Sequence, residues 1–355
     1  MTKSSGKRHA IPKNVKIFTK NSKTFSLCVF SKKNSYIIAA SNICTMRGHK
    51  RKNYPEVFQH IFQHAIDYRL LFYSTADRLV FFTIFSVISV RYGVIVLALA
   101  LMYNHFHCLI QTVSSKVMAL FIGTVTSTFA HAFNRDIGRK GHIFQKAYGN
   151  AVKSSDKKVR TCIAYNYNNS VEKGLFGRAE QDRWNFLAYI ASDHPFSEQI
   201  ELDRASKHLR SALKEVERYV KDQAYLNYPT IRRIFKKLSA KEKEQLIDFI
   251  ISRYLPINKD TLLSFYKGYD EMVMAINSNT GAEYDINEEY NNDSDTIYTN
   301  MLKLIEISSF SCKPHSVIMA DDKKKMQIAS VLKQRTGAKD YQIARVLHLD
   351  CPQSC

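Results

Sequence analysis

The first 55 residues contain no aspartate and no glutamate, although lysine and arginine recur throughout them. Two readings of this stretch stay open: a basic arm suited to a polyanion, or a leader preceding a start at Met46. The seven cysteines, at positions 28, 44, 108, 162, 312, 351 and 355, form no Cys-X-X-Cys pair. That excludes the common zinc and dithiol motifs, and the odd, scattered count suits a reducing cytoplasm. A signal peptide is absent by pattern, because no apolar core follows the early basic residues. The most apolar segment, Leu79–Tyr103, is interrupted by Arg91, which would cost about 2.5–3.5 kcal/mol at a bilayer centre. Its uninterrupted remainder, Val94–Tyr103, is too short to span as a helix. No membrane partner is expected.

What is present is a large hydrophobic inventory, 45% of 355 residues, with a net charge of +20. The first allows a sizeable core in more than one domain; the second points to nucleic acid as the partner.

The pattern tightens at Glu56. Val57–Ile66 reads as a strand. Ser74-Thr75-Ala76-Asp77 has capping-box spacing and opens a helix to about Val90, which Gly93 ends. Val94–Ile110 reads as one long strand, Ser114–Asn134 as a helix and His142–Ala151 as a strand. A further helix runs over 154–168 with Ser154 or Ser155 as its cap. This alternation predicts an α+β domain, an antiparallel sheet with helices packed on it. Beyond Ser197 the reading is all-helical: Ile200–Ala224, Tyr228–Lys237, Ala240–Tyr254 and Lys259–Ile276. An acidic Asn/Asp-rich stretch follows, and then a helical pair, Lys323–Thr336 and Asp340–Leu349, with Gly337 at the turn and Asp340 as the second cap. The expected organisation is a basic extension (1–55), an α+β domain (56–196), a helical accessory region (197–276), a linker (277–300) and a helical C-terminal region (301–355).

The chemistry concentrates in two places. His105 and His107 stand two apart on a strand and so share one face, while Phe106 and Cys108 face the core. Two imidazoles aimed at one point can hold a divalent metal. Downstream, Tyr165 and Asn169 stand four apart on a helix and share a face. A phenol is a weak nucleophile at its ordinary pKa of about 10 and needs a polarised phosphate; an amide oxygen one turn on could complete a metal shell. Tyr167 is the neighbouring rival, about 200° around the helix.

Taken in order, the segments Tyr73–Phe82, Arg91–Ile110 with its Asn104-His105-Phe106-His107, Phe133–Tyr148, and Tyr165–Leu175 with its Tyr-X-X-X-Asn resemble one family. They are similar to the single-tyrosine transposases of the HUH endonuclease superfamily, of the REP-associated type, over about residues 56–190. Tyr103 stands where that family usually has a proline. The resemblance implies an HUH, ferredoxin-like core that cuts and rejoins single-stranded or hairpin DNA through a 5′-phosphotyrosine. It implies Tyr165 as nucleophile, His105, His107 and Asn169 as ligands of Mg²⁺ or Mn²⁺, and no nucleotide cofactor. Relatives range from monomers to dimers, so a homodimer stays open, and a domesticated, non-cleaving nucleic-acid binder on the same fold is the alternative.

Arg135, Arg139 and Lys140 around a glycine-rich turn, and Arg178 and Arg183 flanking Trp184, are candidate phosphate contacts; a solvated loop and a tryptophan anchored in the core are the plainer readings. The C-terminal pair resembles part of a helix-turn-helix, with a helical hairpin that packs or dimerises as the alternative. It is expected to add affinity for DNA more than sequence choice.

Overall fold

The computed structural model describes residues 56–278, 295–307 and 314–350. The expected 1–55 extension and most of the 277–300 linker lie outside these described residues. Within them the chain begins β1 (Phe58–His64), α1 (Thr75–Arg91), β2 (Ile95–Leu101), β3 (His105–Gln111), α2 (Ser115–Ile137), β4 (Gly149–Lys153) and α3 (Asp156–Glu172). The sheet order is β2-β3-β1-β4, and every neighbouring pair is antiparallel. This is the ferredoxin-like β-α-β-β-α-β arrangement, and the fold class is α+β.

Local chemistry explains the boundaries. The Asp77 carboxylate accepts from the Ser74 amide at 2.8 Å while the Ser74 hydroxyl accepts from the Asp77 amide at 3.4 Å, closing the capping box that starts α1. Ser155 caps α3. Gly138, with φ of 73°, ends α2, a conformation that disfavours any side chain with a Cβ.

The run expected as one strand over Val94–Ile110 is two strands joined by a tight turn. The Met102 amide donates to the His105 carbonyl at 3.0 Å, and β2 folds back on β3. Fully extended, the run would reach about 55 Å, far beyond the width of the core. The strand expected over His142–Ala151 is also shorter and later: only an Ala65–Phe144 bridge precedes β4.

Helices cover both faces of the sheet. On one, Phe81 of α1 packs against Phe106 of β3 at 5.0 Å between ring centroids and against Phe129 of α2 at 5.2 Å. On the other lies α3. Among the described residues α2 is the one helix long and apolar enough to cross a membrane; its Met118, Phe121, Val125 and Phe129 are buried in the core.

The rest of the described chain is helical: α4 (Lys207–Lys221), α5 (Tyr228–Phe235), α6 (Ala240–Tyr254), α7 (Lys259–Leu263), α8 (Tyr269–Asn277), α9 (Thr296–Ile307), α10 (Asp322–Thr336) and α11 (Asp340–Leu347). The helix expected from Ile200 begins later, where Ser206 caps it. The helix expected over Lys259–Ile276 is broken into α7 and α8, with Gly268 as the second cap. Thr296–Asn300, expected in the linker, belong to α9. Lys339, not Asp340, is the cap of α11.

The α10–α11 hairpin docks on the α+β unit. The Tyr73 hydroxyl donates to the Val346 carbonyl at 2.6 Å, and the Leu70 amide donates to the Arg345 carbonyl at 3.2 Å. Val346 and Leu347 are fully buried.

Candidate active site

The pairing register decides which side chains meet. His64 lies opposite His105 and Phe62 opposite His107 across the β1–β3 ladder. Directly opposed residues share a face, and the period of two adds His60 to the same side. One face of two central strands thus carries His60, Phe62, His64, His105 and His107. The His105 and His107 rings are 4.7 Å apart, and those of His64 and His105 are 4.5 Å apart.

The helix α3 closes this face. Tyr165 meets the rings of His107 and His60 edge-on, with centroids at 5.4 Å and 5.5 Å. Tyr165 is 7% exposed. Asn169, one turn further on, is buried, and its Oδ1 has no hydrogen-bond partner. Tyr167 points the other way: it is fully buried, and its hydroxyl donates to the Leu97 carbonyl at 2.9 Å. Burial, reinforced by Tyr266 and Tyr269, pushes its phenol well above the ordinary range.

Both histidines of the pair are held at Nδ1. The Asn104 amide nitrogen donates to the Tyr68 carbonyl at 3.2 Å, which fixes its Oδ1 as the atom 2.6 Å from His105 Nδ1. His107 Nδ1 lies 3.1 Å from His60 Nε2. Tyr103 anchors the turn that precedes His105: its hydroxyl is 2.6 Å from Thr299 Oγ1 on α9. Gly149 of β4 lies against Phe62, and a Cβ there would overlap the Phe62 ring. The absent side chain keeps Phe62 seated between His60 and His64.

Among the described residues no three His, Cys, Asp or Glu side chains gather as a metal set. A cation here would need the amide oxygen of Asn169 as its third protein donor. The available atoms fit that role: an orphaned buried oxygen, and two imidazoles whose Nδ1 atoms already have partners, as metal-binding histidines usually do.

The candidate phosphate contacts fare unequally. Arg135 and Lys140 are exposed. Arg139 is partly buried, its guanidinium donating to Asn134 Oδ1 and to the Gly141 and His142 carbonyls. Arg178 is exposed and paired with Glu180. Arg183 lies between Glu244 at 2.5 Å and the buried Asp248 at 3.1 Å, so its charge is already paired within the fold. Trp184 packs at the core edge, with the Arg78 guanidinium 5.3 Å from its ring.

Sequence reasoning passed over His60 and His64. Their four-residue spacing inside a predicted strand put them on one face, which was the available signal. Nothing local tied that face to His105 and His107, because the link is strand register.

The architecture defines an α+β, ferredoxin-like core with a helical C-terminal region. Residues 59–169 match the family model for IS200-like transposases; the match spans under a third of the chain and ends on Asn169. No curated protein matches the chain. A solved structure of a REP-associated tyrosine transposase bound to a REP hairpin is similar at 15% identity and a TM-score of 0.35, over 40% of this chain and 82% of that one.

Proposed function

We propose that residues 56–196 are a single-tyrosine DNA strand transferase acting on single-stranded or hairpin DNA in the cytoplasm. The observation that carries this reading is Tyr165 set edge-on to His107, on the sheet face that also holds His105. Tyr165 Oη attacks a backbone phosphorus and gives up its proton. The bond from phosphorus to the 3′ oxygen breaks, that oxygen leaves as a hydroxyl after taking up a proton, and the 5′-phosphate stays on Tyr165. Attack by a 3′-hydroxyl reverses the step, so no nucleotide cofactor is required. His105, His107 and Asn169 would hold Mg²⁺ or Mn²⁺, which when bound polarises the phosphoryl oxygens and offsets developing charge. Arg135, Arg139, Lys140 and Arg178 contribute phosphate contacts along the strand. The partition into an α+β domain and helical accessory regions follows the same proposal.

A second reading, a non-cleaving nucleic-acid binder on this fold, is favoured by the burial of Tyr165. The two part in one experiment: single-stranded DNA from the flanks of the gene is incubated with protein and Mn²⁺ and run on a denaturing gel. A covalent adduct supports the transferase; retained binding with no adduct supports the binder.

A further inference from the structure

We infer that His60 is a positioning residue for His107: it fixes the tautomer that leaves His107 Nε2 open as a ligand atom. The inference rests on the proposed metal site and extends it to a residue on another strand.

The two rings lie nearly parallel, with 5° between their planes and centroids 5.2 Å apart, and the His60 Nε2 to His107 Nδ1 separation is 3.1 Å. Both side chains are fully buried. A hydrogen bond at that distance needs one donor and one acceptor, and a neutral imidazole has one of each. If His107 Nδ1–H donates, His60 Nε2 accepts and His107 Nε2 keeps its lone pair. If His60 Nε2–H donates, the proton of His107 sits on Nε2 and that atom is closed to a metal.

The first arrangement is taken by analogy with the neighbouring histidine. His105 Nδ1 faces the Asn104 oxygen, which only accepts, so a neutral His105 carries its proton on Nδ1 and its Nε2 lone pair would be the one offered to a metal. Two ligands from the same face of one strand then present the same ring atom to one ion. Asn104 does for His105 what His60 does for His107. His60 also packs edge-on against Tyr165, so one buried ring braces both the ligand and the nucleophile.

The tautomer is read directly by long-range ¹H–¹⁵N correlation on metal-free, full-length protein labelled at histidine, with His60→Gln and His107→Gln used for assignment. His107 protonated at Nδ1 is expected; a proton on Nε2 overturns the inference. Manganese binding, followed by the EPR signal of free Mn²⁺, gives the second readout. His60→Leu should weaken binding about 10- to 100-fold, the usual cost of losing such a partner. His60→Gln, whose Oε1 can accept from His107 Nδ1, should restore most of it. Wild-type affinity in His60→Leu, with binding abolished in His105→Ala, defeats the role of His60 and leaves the metal site standing. If wild-type protein binds no Mn²⁺, the site reading falls and this inference with it.

Discussion

The Tyr167 hydroxyl donates to the Leu97 carbonyl at 2.9 Å from a fully buried position, on the side of α3 away from the histidines. Two tyrosines that look interchangeable in Ala164-Tyr165-Asn166-Tyr167 are thus separated by the helix into one that meets the histidine rings and one buried in the core. Tyr167→Phe should cost about 1 kcal/mol, the net worth of one such bond, measured by urea unfolding. It should leave any DNA adduct unchanged, and loss of the adduct with unchanged stability would reverse the two roles.

Tyr103 ties the histidine-bearing turn to α9 through Thr299. A double-mutant cycle with Tyr103→Phe and Thr299→Val should give a coupling of about 0.5–1.5 kcal/mol. Additive effects would mean that the contact does not hold the turn.

The docked hairpin makes the C-terminal region part of the fold. Leu347 is fully buried, so Leu347→Ala should destabilise by about 2–5 kcal/mol. Deleting residues 321–355 would uncover Leu70–Tyr73 and lower the unfolding midpoint, as well as any affinity for DNA. A truncated protein as stable as the full chain would show that the hairpin packs elsewhere.

Acid should loosen the same seam. Burial lowers the His348 pKa to about 3, with Arg69, Arg139 and Lys325 acting in the same direction against the hydrogen bond His348 donates to the Leu70 carbonyl. The unfolded pKa is about 6.5, so between about 6.5 and 3 the unfolded chain binds the proton that the folded one refuses. Stability from this group is complete above pH 6.5 and is lost as pH falls towards 3. His348→Asn, which tolerates the left-handed backbone there (φ of 52°), should flatten this part of the stability–pH curve. An unchanged slope would remove His348 as its source.

Much of the scaffold was legible where local chemistry sets it. Ser74 and Asp77 announce α1, Ser155 starts α3, and Gly337 separates α10 from α11. The strand alternation that gave His105 and His107 a shared face also put Phe106 and Cys108 in the core, where both are fully buried. The β2–β3 hairpin was hidden because the apolar run has no glycine or proline at its turn, and Tyr103 owes its place to a partner almost two hundred residues away. His60 was silent for a related reason: its meaning comes from ladder register with β3. The ion pairs of Arg183 with Glu244 and Asp248 were hidden because both partners lie about sixty residues downstream.

The most direct test is to trap the adduct and find the residue that carries it. Protein is incubated with Mn²⁺ and a pool of single-stranded oligonucleotides spanning the flanks of its gene, then denatured, digested and analysed by mass spectrometry. A 5′-phosphonucleotide on the peptide containing Tyr165 is expected. It should be lost in Tyr165→Phe, in His105→Ala/His107→Ala and in EDTA, while DNA binding by Tyr165→Phe persists. An adduct on another tyrosine, an adduct formed at full yield in EDTA, or DNA bound with no adduct under any of these conditions would contradict the account.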